Sequence, residues 1–245
     1  MTPSDPRSGA AGGGQGGRHT VGVLVRLTVT AVVLGLLVLG VRAERGLGYE
    51  PAADPATTGA QVRLSVYPDS MVCHGGAGGP HSDWVTYCPS TSLRLLAHRT
   101  VTVTIRQYDS AASLHNPFFD KVRGTIGDTM TVNGRAVSQL PPAVVGHTFT
   151  IQTPPNTSEP QMFVSVPLPG TPDNADQSAT TVAGNPYPKP DVITFQIRTG
   201  APGTYVWHCY APCGTGLAGD GTGGQDNFGG PMSTIGYMSG TVTVA

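Results

Sequence analysis

Gly203-Thr-Tyr-Val-Trp-His-Cys209-Tyr-Ala-Pro-Cys213-Gly214 decides how this chain is read. Thr204, Tyr205, Val206 and Trp207 are β-branched or aromatic and favour a strand. Pro212 and Gly214 then end that strand in a turn. Side chains alternate along a strand, so Tyr205, Trp207 and Cys209 share one face while Val206 and His208 take the other. Cys209 therefore follows two aromatics into the core, with Cys213 in the turn just beyond it. His208 points away from Cys209 and is expected to face outward rather than to serve as a ligand. Further on, Gly236-Tyr-Met238-Ser-Gly-Thr-Val-Thr-Val244 opens a second strand with a methionine. A thiol at one strand end and a thioether at the start of the next are soft donors, the kind from which a soft-metal site is built.

Working outward, the same alternation recurs. Thr100-Val-Thr-Val-Thr-Ile105 and Ile193-Thr-Phe195-Gln-Ile197-Arg each present one apolar and one polar face, as strands of a sandwich with one side packed do. Strands are expected near 61–67, 92–97, 100–108, 144–151, 161–166, 191–198, 203–209 and 234–244. The links are rich in Pro and Gly, as in Pro141-Pro142, Pro154-Pro155, Pro167-Leu-Pro169-Gly170 and Pro186-Tyr-Pro188-Lys-Pro190. Such segments cannot continue a central ladder. Outside the N-terminal region no helix longer than two turns is evident, and there is no internal repeat. The expected class is all-β.

Composition bounds the function. Only 12% of the 245 residues are charged, and the formal net charge is −1. Without a basic cluster to neutralise phosphates, nucleic acid is excluded as a partner. The chain holds 34 Gly and 22 Pro, many of the glycines in its first residues.

The N-terminus reads as a separate unit. Residues 1–19 are Gly-rich and polar and are expected to be a disordered cytoplasmic tail. Leu27 to Val41 is uncharged and mostly aliphatic, and extending it back to Thr20 reaches the length of about 20 residues that a spanning helix needs. Arg26 then lies near the cytoplasmic end, where its side chain can snorkel. Residues 20–41 are expected to be a transmembrane anchor, with a cleaved signal peptide ending near Val41-Arg42-Ala43 as the alternative. Either way the remainder is exported. Residues 42–60 look like a linker, and residues 61–245 form the domain proper. The localisation that follows is a single-pass membrane protein with an extracytoplasmic C-terminal domain, or a secreted one if the signal is cleaved.

Four cysteines in an exported domain bring disulfides into play. Cys73 and Cys88 flank the insert His74-Gly-Gly-Ala-Gly-Gly-Pro-His81, and a staple closing that loop is the expected pairing. A metal site from Cys73, His74, His81 and Cys88 fits no zinc spacing well. Cys209 and Cys213 are open to pairing with each other or with the first two.

Gly203-Thr-Tyr-Val-Trp-His-Cys209 resembles the penultimate strand of cupredoxins, the small blue-copper β-sandwiches. Met238-Ser-Gly-Thr-Val-Thr-Val244 is similar to their axial methionine and final strand. Cys209-x-x-x-Cys213-Gly214 also resembles the binuclear copper domain of cytochrome c oxidase subunit II, which shares that fold. Val144-Val-Gly-His147-Thr-Phe149-Thr-Ile151 is similar to the segment that carries the first histidine ligand in both. The resemblance covers roughly residues 92–245. It implies a cupredoxin-like Greek-key β-sandwich with long loop insertions, preceded by one membrane helix. It also implies copper as cofactor, with His147, Cys209 and Met238 as ligands and a redox protein as partner.

The chain departs from the family at one point. Cupredoxins place a second histidine between the cysteine and the methionine, and the oxidase domain places one shortly after its second cysteine. Here Tyr210 to Tyr237 contains no histidine, and Leu217 stands at the oxidase position. Three readings stay open. Cys213 replaces the histidine, giving His147, Cys209, Cys213 and Met238, or Met232. Alternatively, Cys209 and Cys213 form a disulfide and the domain is metal-free. In the third, His115, in Leu114-His115-Asn116-Pro-Phe-Phe119-Asp120, completes the site.

Other chemistries fail on residues. Multicopper oxidases carry a His-Cys-His strand, but Tyr210 follows Cys209 and no His-x-His pair exists. A Gly-x-Ser-x-Gly nucleophile elbow is absent. A thioredoxin-like site needs Cys-x-x-Cys at a helix start, and Cys209-x-x-x-Cys213 has neither that spacing nor that setting. The expectation is a copper-binding protein that transfers electrons or handles copper and is not an enzyme. The alternative is a metal-free interaction domain of the same fold.

Overall fold

The computed structural model describes residues 61–73, 81–212, 229–232 and 234–245. The expected tail 1–19, anchor or signal 20–41 and linker 42–60 lie outside the described residues, as do His74 and Cys213. Among the described residues no helix is long and apolar enough to cross a membrane.

The described chain is built of strands joined by turns and one-turn 3-10 segments. The strands are β1 (Gln61–Tyr67), β2 (Thr86–Cys88), β3 (Ser92–Leu95), β4 (Thr100–Gln107), β5 (Met130–Val132), β6 (Arg135–Val137) and β7 (Val145–Gln152). They continue with β8 (Phe163–Pro169), β9 (Thr180–Val182), β10 (Asn185–Tyr187), β11 (Asp191–Arg198), β12 (Gly203–His208) and β13 (Ser239–Val244). One sheet runs β2-β1-β4-β11-β5-β6 and the other β3-β13-β12-β7-β8, with β10-β9 as a separate hairpin. Most neighbours are antiparallel, but β1 runs parallel to β4 and β3 parallel to β13.

Alternation explains how the sheets stack. On β4 the buried residues are Val101, Val103, Ile105 and Gln107, and on β11 they are Ile193, Phe195 and Ile197. Phe149 and Ile151 of β7, Tyr205 and Trp207 of β12, and Val242 and Val244 of β13 are likewise buried. Residues of both sheets form one continuous core. Burying each such aliphatic or aromatic side chain stabilises the fold by about 1.5–3 kcal/mol.

Strands β7 and β8 are buried on nearly every residue rather than on alternate ones. Part of their outer face is covered by Tyr210, whose ring stacks on Phe119 of the turn Pro117–Asp120 at 4.5 Å and 2°. On β12, Trp207 donates its Nε1–H to the carbonyl of Thr91 at 2.8 Å. Trp207 lies opposite Gly240 on β13. A side chain at Gly240 would collide with both the Thr91 carbonyl and the indole, so glycine is what lets that buried bond form.

The Cys73–Cys88 pairing is present as a disulfide, with Cα atoms 5.8 Å apart, inside the usual range for a bridge. It packs with Tyr67, Tyr108 and Tyr187 in a small core of its own. Tyr67 and Tyr108 stack at 4.7 Å, and the Tyr187 hydroxyl donates to Asp69 at 2.8 Å.

Candidate metal centre

The strands adjoining Cys209 place the candidate residues. β12 lies between β7 and β13, so the segment bearing His147 and the one following Met238 are its two neighbours. At the end of β12 the Cys209 N–H donates to the Met238 carbonyl at 3.0 Å. The face assignment is as alternation requires: Tyr205, Trp207 and Cys209 are buried, whereas Val206 and His208 are only half-buried.

His147 enters from β7 through a break in regular pairing between Val145 and His147. Such an irregularity re-aims a side chain. Gly146 is the residue skipped, and a Cβ there would lie 2.7 Å from the Ser110 carbonyl and 2.9 Å from the Gln107 side chain. Glycine thus lets the segment after β4 lie directly against the start of β7.

The result is a buried pair. His147 is 1% exposed and Cys209 2%. The His147 Nδ1 lies 3.8 Å from the Cys209 Sγ, and its Nε2 lies 2.9 Å from Asp109 Oδ2. The sulfur also accepts the backbone N–H of Thr148 at 3.3 Å and lies 3.6 Å from the Ala211 carbonyl. Burial by itself disfavours a charged ring. The Asp109 carboxylate on one nitrogen and the Cys209 sulfur beside the other outweigh it, and push the His147 imidazole up to about 9.

Both methionine candidates are close by in the chain fold. Met238 is fully buried, and Met232 is 4% exposed in the turn Gly230–Met232. The Met238 N–H donates to the Pro231 carbonyl at 3.1 Å, which ties that turn to the start of β13. Met232, Met238 and Cys209 belong to the same core. His115 stands on the exposed loop before Pro117, where the side chain of Asn116 caps the turn by accepting the Phe118 N–H.

The strand order is the one that the sequence resemblance implies: first histidine on one neighbour, cysteine at the end of the penultimate described strand, methionine leading into the last. The fold is cupredoxin-like. No protein-family model and no curated protein matches the chain. Among solved structures it is similar to reduced auracyanin from the photosynthetic bacterium Roseiflexus castenholzii, at 14% identity over 77% of this chain and 99% of that one, with a TM-score of 0.30. It is similar to the copper protein rusticyanin at 14% identity over 85% of this chain and 94% of the other, with a TM-score of 0.33. A multicopper oxidase matches at 11% identity over 80% of this chain and 45% of that one, with a TM-score of 0.23. Identities this low and superpositions this loose carry no argument about this chain. The roles of residues rest on this chain's own distances.

Those distances bear on whether a metal fits. A metal bonded to imidazole at about 2.0 Å and to thiolate at about 2.3 Å holds the two donors roughly 3.5–3.7 Å apart at angles between tetrahedral and trigonal. The His147–Cys209 pair stands at 3.8 Å, close to that range. An imidazole, a thiol and a thioether are also donor types that suit copper. Among the described residues, however, no three His, Cys, Asp or Glu side chains group as metal ligands.

Asp109 carried no signal in the sequence reading. It lies two residues past the end of β4, and neither spacing nor motif links it to His147. The nearest clue is the glycine before His147, which marks a close backbone approach.

Proposed function

We propose that this protein binds one copper ion through His147 and Cys209, with Met238 as a thioether donor and Cys213 or Met232 as the fourth. The observation that carries the reading is the buried Nδ1-to-Sγ separation of 3.8 Å, with a backbone N–H already aimed at the sulfur. Copper held there would supply a one-electron couple in a dry pocket. This chain's residues would hold the donors rigid and exclude water. The role that follows is electron transfer to a redox partner, or copper handling, without turnover of a substrate. An extracytoplasmic domain tethered by residues 20–41 is part of the proposal, and the Cys73–Cys88 disulfide supports an oxidising compartment.

The test is metal titration of the purified full-length chain, after its free thiols have been counted by mass spectrometry. One equivalent of Cu(I) is expected to bind, and Cys209→Ser or His147→Ala to abolish stoichiometric uptake. Because Tyr210 to Tyr237 contains no histidine, the Cu(II) form is expected to lack the intense visible absorption of a blue site. A metal-free domain with a Cys209–Cys213 disulfide is the second reading. A permanent Cys209–Cys213 disulfide with no copper uptake would establish it in place of the first.

A further inference from the structure

We propose that Asp109 is a positioning residue for the metal site: its carboxylate keeps a proton of His147 on Nε2, so that the ring presents Nδ1 to Cys209 and it is the Nδ1 position that gives up its proton when a metal binds. This rests on the copper-binding reading above and assigns the device that orients its histidine.

The geometry is specific. Asp109 is buried, with its side chain 10% exposed, and its Oδ2 stands 2.9 Å from Nε2. Its other oxygen, Oδ1, accepts the Ser110 N–H at 2.8 Å. Its backbone carbonyl accepts the Thr171 N–H at 2.7 Å. Both the carboxylate and the main chain are thereby fixed. Two glycines make the approach feasible. A Cβ at Gly146 would press on the Ser110 carbonyl, and one at Gly170 would strike the backbone of Ser110 and Ala111. The segment after β4 is therefore clamped between β7 and the end of β8, with Asp109 directed at the imidazole.

The chemistry follows from the tautomer. A neutral imidazole carries one N–H and one lone pair, and the partner of the N–H decides which nitrogen can bind a metal. A carboxylate on Nε2 accepts and cannot donate, so it selects the Nε2–H form. Its charge also raises the donor strength of Nδ1. Outer partners of this kind typically change metal affinity by about 10–100-fold when removed. An amide at position 109 is nearly isosteric but neutral. It also offers an NH2 group that stabilises the opposite tautomer.

The experiment uses the full-length chain with uniform 15N labelling, and Cu(I) as the probe, because Cu(I) is diamagnetic. Long-range 1H–15N spectra of the His147 ring are recorded without metal and with one equivalent of Cu(I). In parallel, the Cu(I) affinity is measured by chelator competition for the wild type and for Asp109→Asn. In the metal-free wild type the Nε2–H is expected as a slowly exchanging signal, and Asp109→Asn is expected to lose that protection. With Cu(I), the proton is expected to stay on Nε2. The affinity of Asp109→Asn is expected to fall about 10–100-fold. A His147 ring that carries its proton on Nδ1 in the Cu(I)-loaded wild type overturns the inference without recourse to any variant. So does an Asp109→Asn protein with unchanged exchange and unchanged affinity. If the wild type takes up no Cu(I), the copper-binding reading fails. The metal-free spectra still decide whether Asp109 fixes the imidazole.

Discussion

Two regions of this molecule use cysteine in opposite ways. At one, Cys73 and Cys88 are joined covalently and packed among three tyrosines. At the other, the Cys209 sulfur is held by a backbone N–H and lies beside an imidazole. The staple joins residues that flank a Gly-rich stretch of sequence, 74–80. The site gains its order from the sheet, because Cys209 and His147 ride on neighbouring strands of a packed core. The comparison teaches that one residue type can be buried either as a covalent fastener among aromatic rings or as a sulfur held beside an imidazole.

The largest effect is expected where the site is broken from within. His147→Leu leaves the Asp109 carboxylate buried without its partner, which should cost about 3–5 kcal/mol in chemical denaturation of the metal-free protein. The same substitution removes a ligand, so stability and copper uptake should fall together. At the staple the two should separate. Replacing both Cys73 and Cys88 by Ser opens a bridge between residues 15 apart in sequence and should cost about 3 kcal/mol. Copper affinity should stay unchanged, and any loss of it would mean that the regions are coupled. Gly240→Ala should act least of the three. Its methyl would lie 2.6 Å from the Trp207 Nε1, and overpacking of this kind costs about 1–3 kcal/mol in thermal or chemical unfolding.

The long strands were legible because alternation over six or more residues is a strong signal. β1 and β11 occupy the expected spans, β4 and β12 each stop one residue early, and β7 is shifted by one residue at both ends. The expected strand near 234–244 begins only at Ser239, because Gly236 to Met238 form a turn before it. The short strands β2, β5, β6, β9 and β10 were not foreseen. Three residues show no period, and they lie within segments that read as loops. Two of these hairpins did carry a signal. Asn133-Gly134 and Ala183-Gly184 have positive φ at both positions, the conformation of a two-residue type I′ turn. Asn-Gly in particular favours it.

At the site, the approach of His147 to Cys209 followed from the strand pattern and the resemblance. Asp109 did not. The sequence distance between Asp109 and His147 holds no period that would announce their contact, and only the folded sheet brings them together.

The position of β13 has a consequence for how the site comes to exist. It lies inside its sheet, between β3 and β12. Thr241 and Ser92, neighbours across the β3–β13 pair, stand 149 residues apart along the chain. A growing chain therefore displays β3 and β12 as unprotected edges until residues 239–244 have been made. Open edges invite pairing with other chains, and contacts of this sequence range form late. Cys209 gains the Met238 carbonyl as its partner only at that final step. The surroundings of the Cys209 thiol are therefore complete only when β13 has paired, and donors carried by β7, β12 and the start of β13 come together only in the paired sheet.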